Sequence, residues 1–373
     1  MKVLHIYKDY YPVLGGIGNH VRLLCNELAE DKNFQVQVLV TNERFKTVIE
    51  RNSNFEVIKA SRILKFASTP ISLSLFKWIA RLKADIVHLH FPFPPGEIAC
   101  LLLGHYKKMV ITYHSDIVRQ KLLGTLYSPI LSKVLRKADT IIVQSPAYAK
   151  NSRHLSKHFD KCKIIPSFID TQCFQGRNER KIEEIKSKYG SSLALFVGKF
   201  RYYKGVNHLI EAAGKTNCSF LLIGNGYLEK DLKSLVYAKG LSHKVHFMNN
   251  VDEEELPSYY QASDIFVLPS IHRSESFGLV LLEAMACGIP IISTELGTGT
   301  SWVNLHNQTG LVIPPRDSEA LANAMNHLLL DKDKRLRFGK AGIERVRNVF
   351  SKDIVVEQIK KLYYQLISES QAP

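Results

Sequence analysis

The chain has 373 residues, enough for two domains of roughly 150–200 residues, each burying its own core. Its 45% hydrophobic and 23% charged content is ordinary for a soluble globular protein and excludes a disordered chain, and no apolar run reaches the roughly 18–20 residues of a membrane helix. The net charge of +15 is uneven: residues 1–170 carry 25 Lys and Arg against 13 Asp and Glu, whereas residues 171–373 carry 25 against 22.

A basic first half is expected to meet something anionic, whether phosphate groups or an acidic membrane surface. Nucleic acid is not expected, because no RNP-like, zinc-finger or helix-turn-helix pattern accompanies the charge. The N-terminal apolar run Val3–Tyr7 is too short for a signal peptide. Six scattered cysteines without a C-x-x-C pair read as free thiols in a reducing cytoplasm, not as a zinc site.

Short apolar runs alternate with helical segments, the pattern of parallel sheets in an α/β fold. The first half predicts strands at 2–8, 35–41, 55–60, 85–90, 109–114, 140–145 and 162–167. The series restarts at 193–199, 219–225, 244–250, 264–270 and 290–295, so each set makes one doubly wound domain. The boundary is expected near 168–190, where "PSFIDTQCFQGRNERK" is polar and broken. This predicts domains at 1–170 and 171–350, then a C-terminal segment 351–373 packing back on the first, its helix over 351–368 capped by Ser351. In such sheets ligands bind beyond the carboxyl ends of the strands. The loops to watch are 9–18, 91–97, 114–120, 198–205, 224–227, 270–278 and 295–301, which two facing domains would gather on one interdomain cleft.

In the first loop Gly15, Gly16 and Gly18 precede a helix whose amides could cradle a phosphate or an acceptor hydroxyl; a plain strand–helix turn reads equally well. His114, ending the fifth strand, could hydrogen-bond a sugar hydroxyl or move a proton, or be structural with Asp116 as a cap. In "FVGKFRYYKG", Lys199, Arg201 and Lys204 lie within six residues of a glycine turn and can offset charge on a departing diphosphate. Gly224 and Gly226 make a turn suited to backbone contact with a nucleotide, or simply a turn.

"SESFGLVLLEAMACG" places Glu275 in a loop before a helix, with the Phe277 and Gly278 amides beside it, and Glu283 two turns inside. Glu275 can accept from a ligand hydroxyl. Glu283, on an apolar helix, needs a partner, either a ribose 2′/3′ diol or a neighbouring group.

With these residues the chain resembles the retaining glycosyltransferases of family 4, which have the double-Rossmann GT-B fold. The similarity spans nearly the whole length; its specific part is E-x7-E (Glu275, Glu283) joined to "GKFRYYKG". The resemblance implies that Glu283 holds the donor ribose and that Glu275 with the Phe277–Gly278 amides holds the donor sugar. It further implies that Lys204 and the basic residue after Gly198 bind the diphosphate, His114 meets the sugar's 6-hydroxyl side, and Gly16 touches the donor phosphate or acceptor. Two departures stand out. The family usually has Arg where Lys199 stands, and a Lys cannot make the bidentate contact, which leaves Lys199 and Arg201 both candidates. The linker is "PSFID" where the family reads Pro-Asn-Gly-Val-Asp.

"TYHSDIVRQK" and "ELGTGTSWVN" are similar to bacterial O-antigen and capsule α-mannosyltransferases, implying GDP-mannose as donor, with a UDP-sugar as rival. No metal or other cofactor is expected, since the only Asp-x-Asp, Asp331–Asp333, reads as an exposed turn. The acceptor implied is a polyprenyl-diphosphate-linked glycan at the inner membrane face, which would make the protein cytoplasmic and peripheral. The helix predicted over 71–83 carries a Leu75, Trp78, Ile79, Leu82 stripe beside Lys77, Arg81 and Lys83, and reads as an interfacial helix or as a crossover helix facing the sheet. Neutralising the Lys and Arg of 62–83 is expected to abolish vesicle binding. Other classes remain on the sequence: a silent subunit of the same fold, which should have lost Glu275, Glu283 or Lys204, and a nucleotide-sugar epimerase or NAD-dependent enzyme needing no acceptor.

Overall fold

The computed structural model describes residues 1–11, 15–51, 54–66, 69–117, 121–249 and 251–370. The chain forms two compact units: one runs from Met1 to Pro166 and takes back the C-terminal segment from Val355, and the other spans Ser167–Ile354.

The first unit is built on an eight-stranded sheet in the order Cys162–Ile164, Thr140–Val143, His105–Tyr113, Lys83–Phe91, Lys2–Ile6, Gln35–Thr41, Glu56–Ala60, Val48–Arg51. All pairs are parallel except the last, an antiparallel edge. Val3 sits in register with Val36 on one side and Ile86 on the other, and all three are buried. Helices cover both faces, which is why the central strands read as nearly continuous apolar runs without alternation. The returning helix Lys352–Glu369 places Tyr363 against this unit, where its hydroxyl lies 2.5 Å from His88 Nδ1, and Lys360 pairs with Asp31 at 3.0 Å.

The second unit is a six-stranded, wholly parallel sheet: Val245–Met248, Ser219–Ile223, Leu193–Val197, Ile265–Leu268, Ile291–Thr294, Gly310–Ile313. Its spatial order is 3-2-1-4-5-6 by sequence, the doubly wound Rossmann order. The parallel strands of the first unit follow the same scheme. Each sheet therefore has a switch point, between Lys2–Ile6 and Lys83–Phe91 in the first and between Leu193–Val197 and Ile265–Leu268 in the second. There adjacent loops leave in opposite directions and open a crevice.

Several local expectations change. Helix Leu279–Ala286 begins at Leu279, so Glu283 lies one turn inside it, not two. The expected helix over 71–83 spans Leu73–Arg81, started by Ser72, whose hydroxyl accepts from the Leu75 amide. Its stripe faces inward: Leu75 and Ile79 are 0% and 2% exposed, and Trp78 and Leu82 pack on the same core. That helix is a crossover element, and its apolar face is not available to a membrane. A small separate hairpin, Leu64–Phe66 with Thr69–Ile71, is not expected from the sequence, nor are the edge strands Val48–Arg51 and Gly310–Ile313. Among the described residues no helix is long and apolar enough to cross a membrane.

Candidate functional site

In the second unit the two loops at the switch point carry the residues singled out by sequence. After strand Leu193–Val197 the chain makes the short turn Tyr202–Lys204, and Gly205 follows with φ 64. A Cβ on Gly205 would stand 2.1 Å from the Pro269 carbonyl oxygen, so only glycine lets this turn lie against the end of strand Ile265–Leu268. The Ile271 amide donates to the Tyr203 carbonyl at 2.8 Å, stitching the two loops together.

This brings Lys204 Nζ to 2.6 Å from Glu275 Oε2, with both side chains 9% exposed. Ser270 Oγ donates to the same oxygen at 2.9 Å, and Thr298 Oγ1 donates to the Glu275 carbonyl at 2.8 Å. Burial acts to lower the Lys204 pKa, but the Glu275 carboxylate and Tyr203 together outweigh it and the net shift is upward, so Nζ stays protonated. The sequence sends Lys204 to a diphosphate and Glu275 to a sugar; the fold makes each the other's partner. The sequence does not point to Ser270 or Thr298, which carry no motif beyond ending a strand or lying in the next loop.

Glu283 is half-buried one turn into Leu279–Ala286. The Tyr260 hydroxyl donates to its Oε2 at 2.7 Å, and among the described residues no donor reaches Oε1. Burial raises its pKa, opposed by the Tyr260 bond and helped by Glu253. The carboxylate is thus held through one oxygen, and the other has no protein donor among the described residues. Phe277 is 3% exposed and packs on Trp302 and Phe350, which fixes the backbone that carries the Gly278 amide. Lys199 and Arg201 are exposed. Gly224 has a packing role of its own: with φ 145, a Cβ there would stand 2.0 Å from the Gly198 carbonyl oxygen. Gly226 approaches the Phe200 backbone similarly.

In the first unit Gly16 opens helix Gly16–Glu30 next to the switch point, and among the described residues nothing lies within 4 Å of where a Cβ on Gly15 would stand. Part of this loop, residues 12–14, and part of the one after His114, residues 118–120, lie outside the described residues. Beside Gly16 stands a cluster that the sequence does not suggest: His5, His20, His88, His90 and His114, all buried, from four separate elements. The one sequence signal is the His88-x-His90 spacing at a strand's carboxyl end. The Gln144 amide Nε2 lies 3.0 Å from His114 Nδ1, His114 Nε2 lies 3.2 Å from His90 Nδ1, and His90 Nε2 lies 3.1 Å from His5 Nδ1. With Gln144 donating, each ring in turn accepts on one nitrogen and donates from the other, so three tautomers are fixed in series. The chain ends at His5 Nε2, which has no partner among the described residues. Burial holds His5 down to about 3 and His20 to about 4, and the other three well below an ordinary imidazole.

Two triples, His5/His88/His90 and His20/His90/His114, bring ring nitrogens within 4.8 Å, close enough to hold a transition metal. The ring arrangement opposes it. His88 stacks on His90 at 4.5 Å and 20°, so their in-plane lone pairs run side by side instead of converging. Both His88 nitrogens are also taken, by Tyr363 and by Thr112 at 2.6 Å. At the other end of the chain, Asp331 of the Asp-x-Asp caps helix Lys332–Arg345 by accepting from the Lys334 amide.

Two successive doubly wound units of this strand order are the architecture of the GT-B fold. A solved structure, sucrose-phosphate synthase (tll1590) from Thermosynechococcus elongatus, shares the fold with a TM-score of 0.82 at 24% identity over 99% of both chains. Residues 14–172 match the model of Glycosyltransferase Family 4 and residues 177–345 that of Glycosyl transferases group 1, and the chain belongs to this family of glycosyltransferases. It is 35% identical to the O-antigen chain mannosyltransferase C of Escherichia coli, over 98% of this chain and 99% of that one. It is 36% identical to the D-rhamnosyltransferase WbpZ of Pseudomonas aeruginosa, over 94% and 92% respectively.

Proposed function

We propose that the chain is a retaining, metal-independent transferase that moves mannose from GDP-mannose onto a polyprenyl-diphosphate-linked glycan in bacterial surface polysaccharide synthesis. In this reading the second unit (171–350 as predicted from sequence) binds the donor, the first binds the acceptor, and the protein works at the inner face of the membrane. The observation that carries it is the Lys204–Glu275 pair at the switch point with Glu283 on the following helix. Glu283 offers its open oxygen to a ribose diol. Lys204, kept protonated, faces the diphosphate as charge grows on it, with Lys199 or Arg201 as a second cation. Glu275 positions that cation, and its remaining oxygen and the Phe277–Gly278 amides are left for sugar hydroxyls. The acceptor hydroxyl attacks the face the diphosphate leaves and passes its proton to a departing phosphate oxygen. Full-length similarity to an O-antigen mannosyltransferase supports the donor and the pathway class.

The test is transfer from labelled GDP-mannose to lipid-linked acceptor in the presence of a chelator, with the anomeric configuration of the product read by NMR. An α-linked mannosyl product supports the reading. Labelling only from a UDP-hexose replaces the donor. No transfer from any nucleotide sugar by folded protein favours the silent subunit.

A second reading, transfer of a 6-deoxyhexose, is favoured by one observation. If His114 meets the donor sugar's 6-hydroxyl side, as the family resemblance implies, that hydroxyl would have to displace Gln144 or His90, which engage both its ring nitrogens. D-rhamnose, which names the Pseudomonas relative's activity, is mannose without that hydroxyl. Competition between GDP-mannose and GDP-D-rhamnose decides: preference for the deoxy sugar supports this reading, and preference for mannose by tenfold or more removes it.

A further inference from the structure

With the stripe of helix Leu73–Arg81 turned inward, the first unit still bares large apolar side chains nearby. Phe66 is 60% exposed, Leu73 65%, Leu64 48% and Ile63 47%, all on or beside the hairpin Leu64–Phe66/Thr69–Ile71. Phe45, 84% exposed, lies alongside, because the Arg62 amide donates to the Arg44 carbonyl at 3.2 Å. Scattered surface leucines need no explanation, but several on one small hairpin that belongs to neither main sheet do.

The hairpin is held rigidly at its base. Ser72 Oγ donates to the Ser61 carbonyl at 2.5 Å, Ser61 Oγ donates to Ser74 Oγ at 2.9 Å, and the Ser61 amide donates to Thr47 Oγ1 at 3.0 Å. The Ile63 amide closes the ladder on the Ile71 carbonyl at 2.9 Å. These bonds hold the apolar side chains outward in advance of any contact, so little ordering entropy remains to be lost on binding.

The charge along this stretch is mostly of one sign. From Val57 to Ala84 there are six Lys and Arg and no Asp or Glu, although exposed Glu43, whose carbonyl accepts from the Arg62 guanidinium, stands beside Phe45. Lys59 is committed to Glu50 at 2.7 Å. Arg62, Lys65, Lys77, Arg81 and Lys83 have no carboxylate partner among the described residues. A second copy of the chain is a poor occupant for this face, because a two-fold interface would set these cations against themselves. An anionic, apolar-bottomed surface fits both features.

We propose that this hairpin, with Phe45 and Leu73, is a wedge that seats in the headgroup region of an anionic bilayer while Lys65, Lys77, Arg81 and Lys83 engage lipid phosphates. The inference rests on the reading that the acceptor is lipid-linked, and it moves the contact from the helix to the hairpin. Apolar side chains give insertion, and the cations give salt-dependent attraction worth about fivefold in affinity each.

The test is co-sedimentation with phosphatidylcholine vesicles with and without about a third phosphatidylglycerol, alongside binding of free GDP and UDP in solution. The protein is expected to bind only the anionic vesicles, less at high salt. The triple variant Leu64→Ser, Phe66→Ser, Leu73→Ser should lose tenfold or more in vesicle affinity and bind nucleotide as before. A Phe66→Trp variant should show a blue shift and quenching by brominated lipid. Unchanged vesicle binding by the triple variant, no quenching of the indole introduced by Phe66→Trp, or a dimer dispersed by the triple serine change would each overturn the wedge. Loss of nucleotide binding in the unaltered protein would instead sink the donor reading and leave the wedge standing.

Discussion

Lys204 and Glu275 are both nearly out of water, so neither charge can be removed without stranding the other. Breaking a buried pair on one side typically costs about 3–5 kcal/mol. Lys204→Met and Glu275→Gln should therefore each lower stability toward urea by an amount of that order. The double variant should recover much of the loss, because no lone charge is left, while transfer activity stays absent in all three. Equal, additive losses would mean that the two side chains do not act as a pair. Each residue was legible in the sequence from its place in a motif. Their contact was not, because it depends on which strands become neighbours: Leu193–Val197 and Ile265–Leu268 pair only through the strand-order reversal. Glu283 was legible as a carboxylate needing a partner, but that the partner from the protein is Tyr260 was not.

At the scale of the element, the histidines at the carboxyl edge of the first sheet make that unit acid-sensitive. A buried imidazole whose pKa is depressed in the fold binds fewer protons than in the unfolded chain. Its contribution is thus fully present above the unfolded value near 6.5 and is lost as pH falls below it, down to the folded values of about 4 for His20 and about 3 for His5. Glu97, raised to about 7 by burial, works the other way between its ordinary value and 7 and offsets about one histidine. Five imidazoles held down against one carboxyl held up leave a net loss of stability in the first unit as pH falls below about 6.5. Circular dichroism and tryptophan emission against pH should show the first unit melting near pH 5 and below, ahead of the second; a flat profile to pH 4 would contradict the depressed imidazoles. Gly205→Ala should cost about 2 kcal/mol or more, since φ 64 and the Pro269 carbonyl both oppose a Cβ, and urea titration reads this directly. The buried strands were readable as apolar runs. Val48–Arg51 was not, because it is short, charged and mostly exposed, and the hairpin was not, because strands of three residues are too short to show a period.

At the scale of the molecule, the first unit is discontinuous in sequence and the second is not. A fragment 167–354 should fold alone. A fragment 1–166 lacks Tyr363, the partner of His88, and the helix face covering Phe34, and should be molten until a peptide covering 355–370 is added; amide spectra by NMR would read both, and a well-dispersed spectrum of 1–166 alone would refute this. The two-domain order and the E-x7-E loop were legible because strand runs and loop motifs repeat along the chain; a C-terminal segment packing back on the first domain was also expected, but the side chains it uses, Tyr363 on His88 and Lys360 on Asp31, are scattered and no local pattern announces them. The account turns on what Glu283 and its neighbours hold. Isothermal titration without metal against GDP-mannose, UDP-glucose, UDP-N-acetylglucosamine, UDP-galactose, GDP and UDP, run with the unaltered protein and with Glu283→Ala, tests it most directly. The account predicts selective binding of GDP-mannose and GDP, weakened at least tenfold by Glu283→Ala; binding that Glu283→Ala leaves intact, or no nucleotide binding by folded protein, would contradict it.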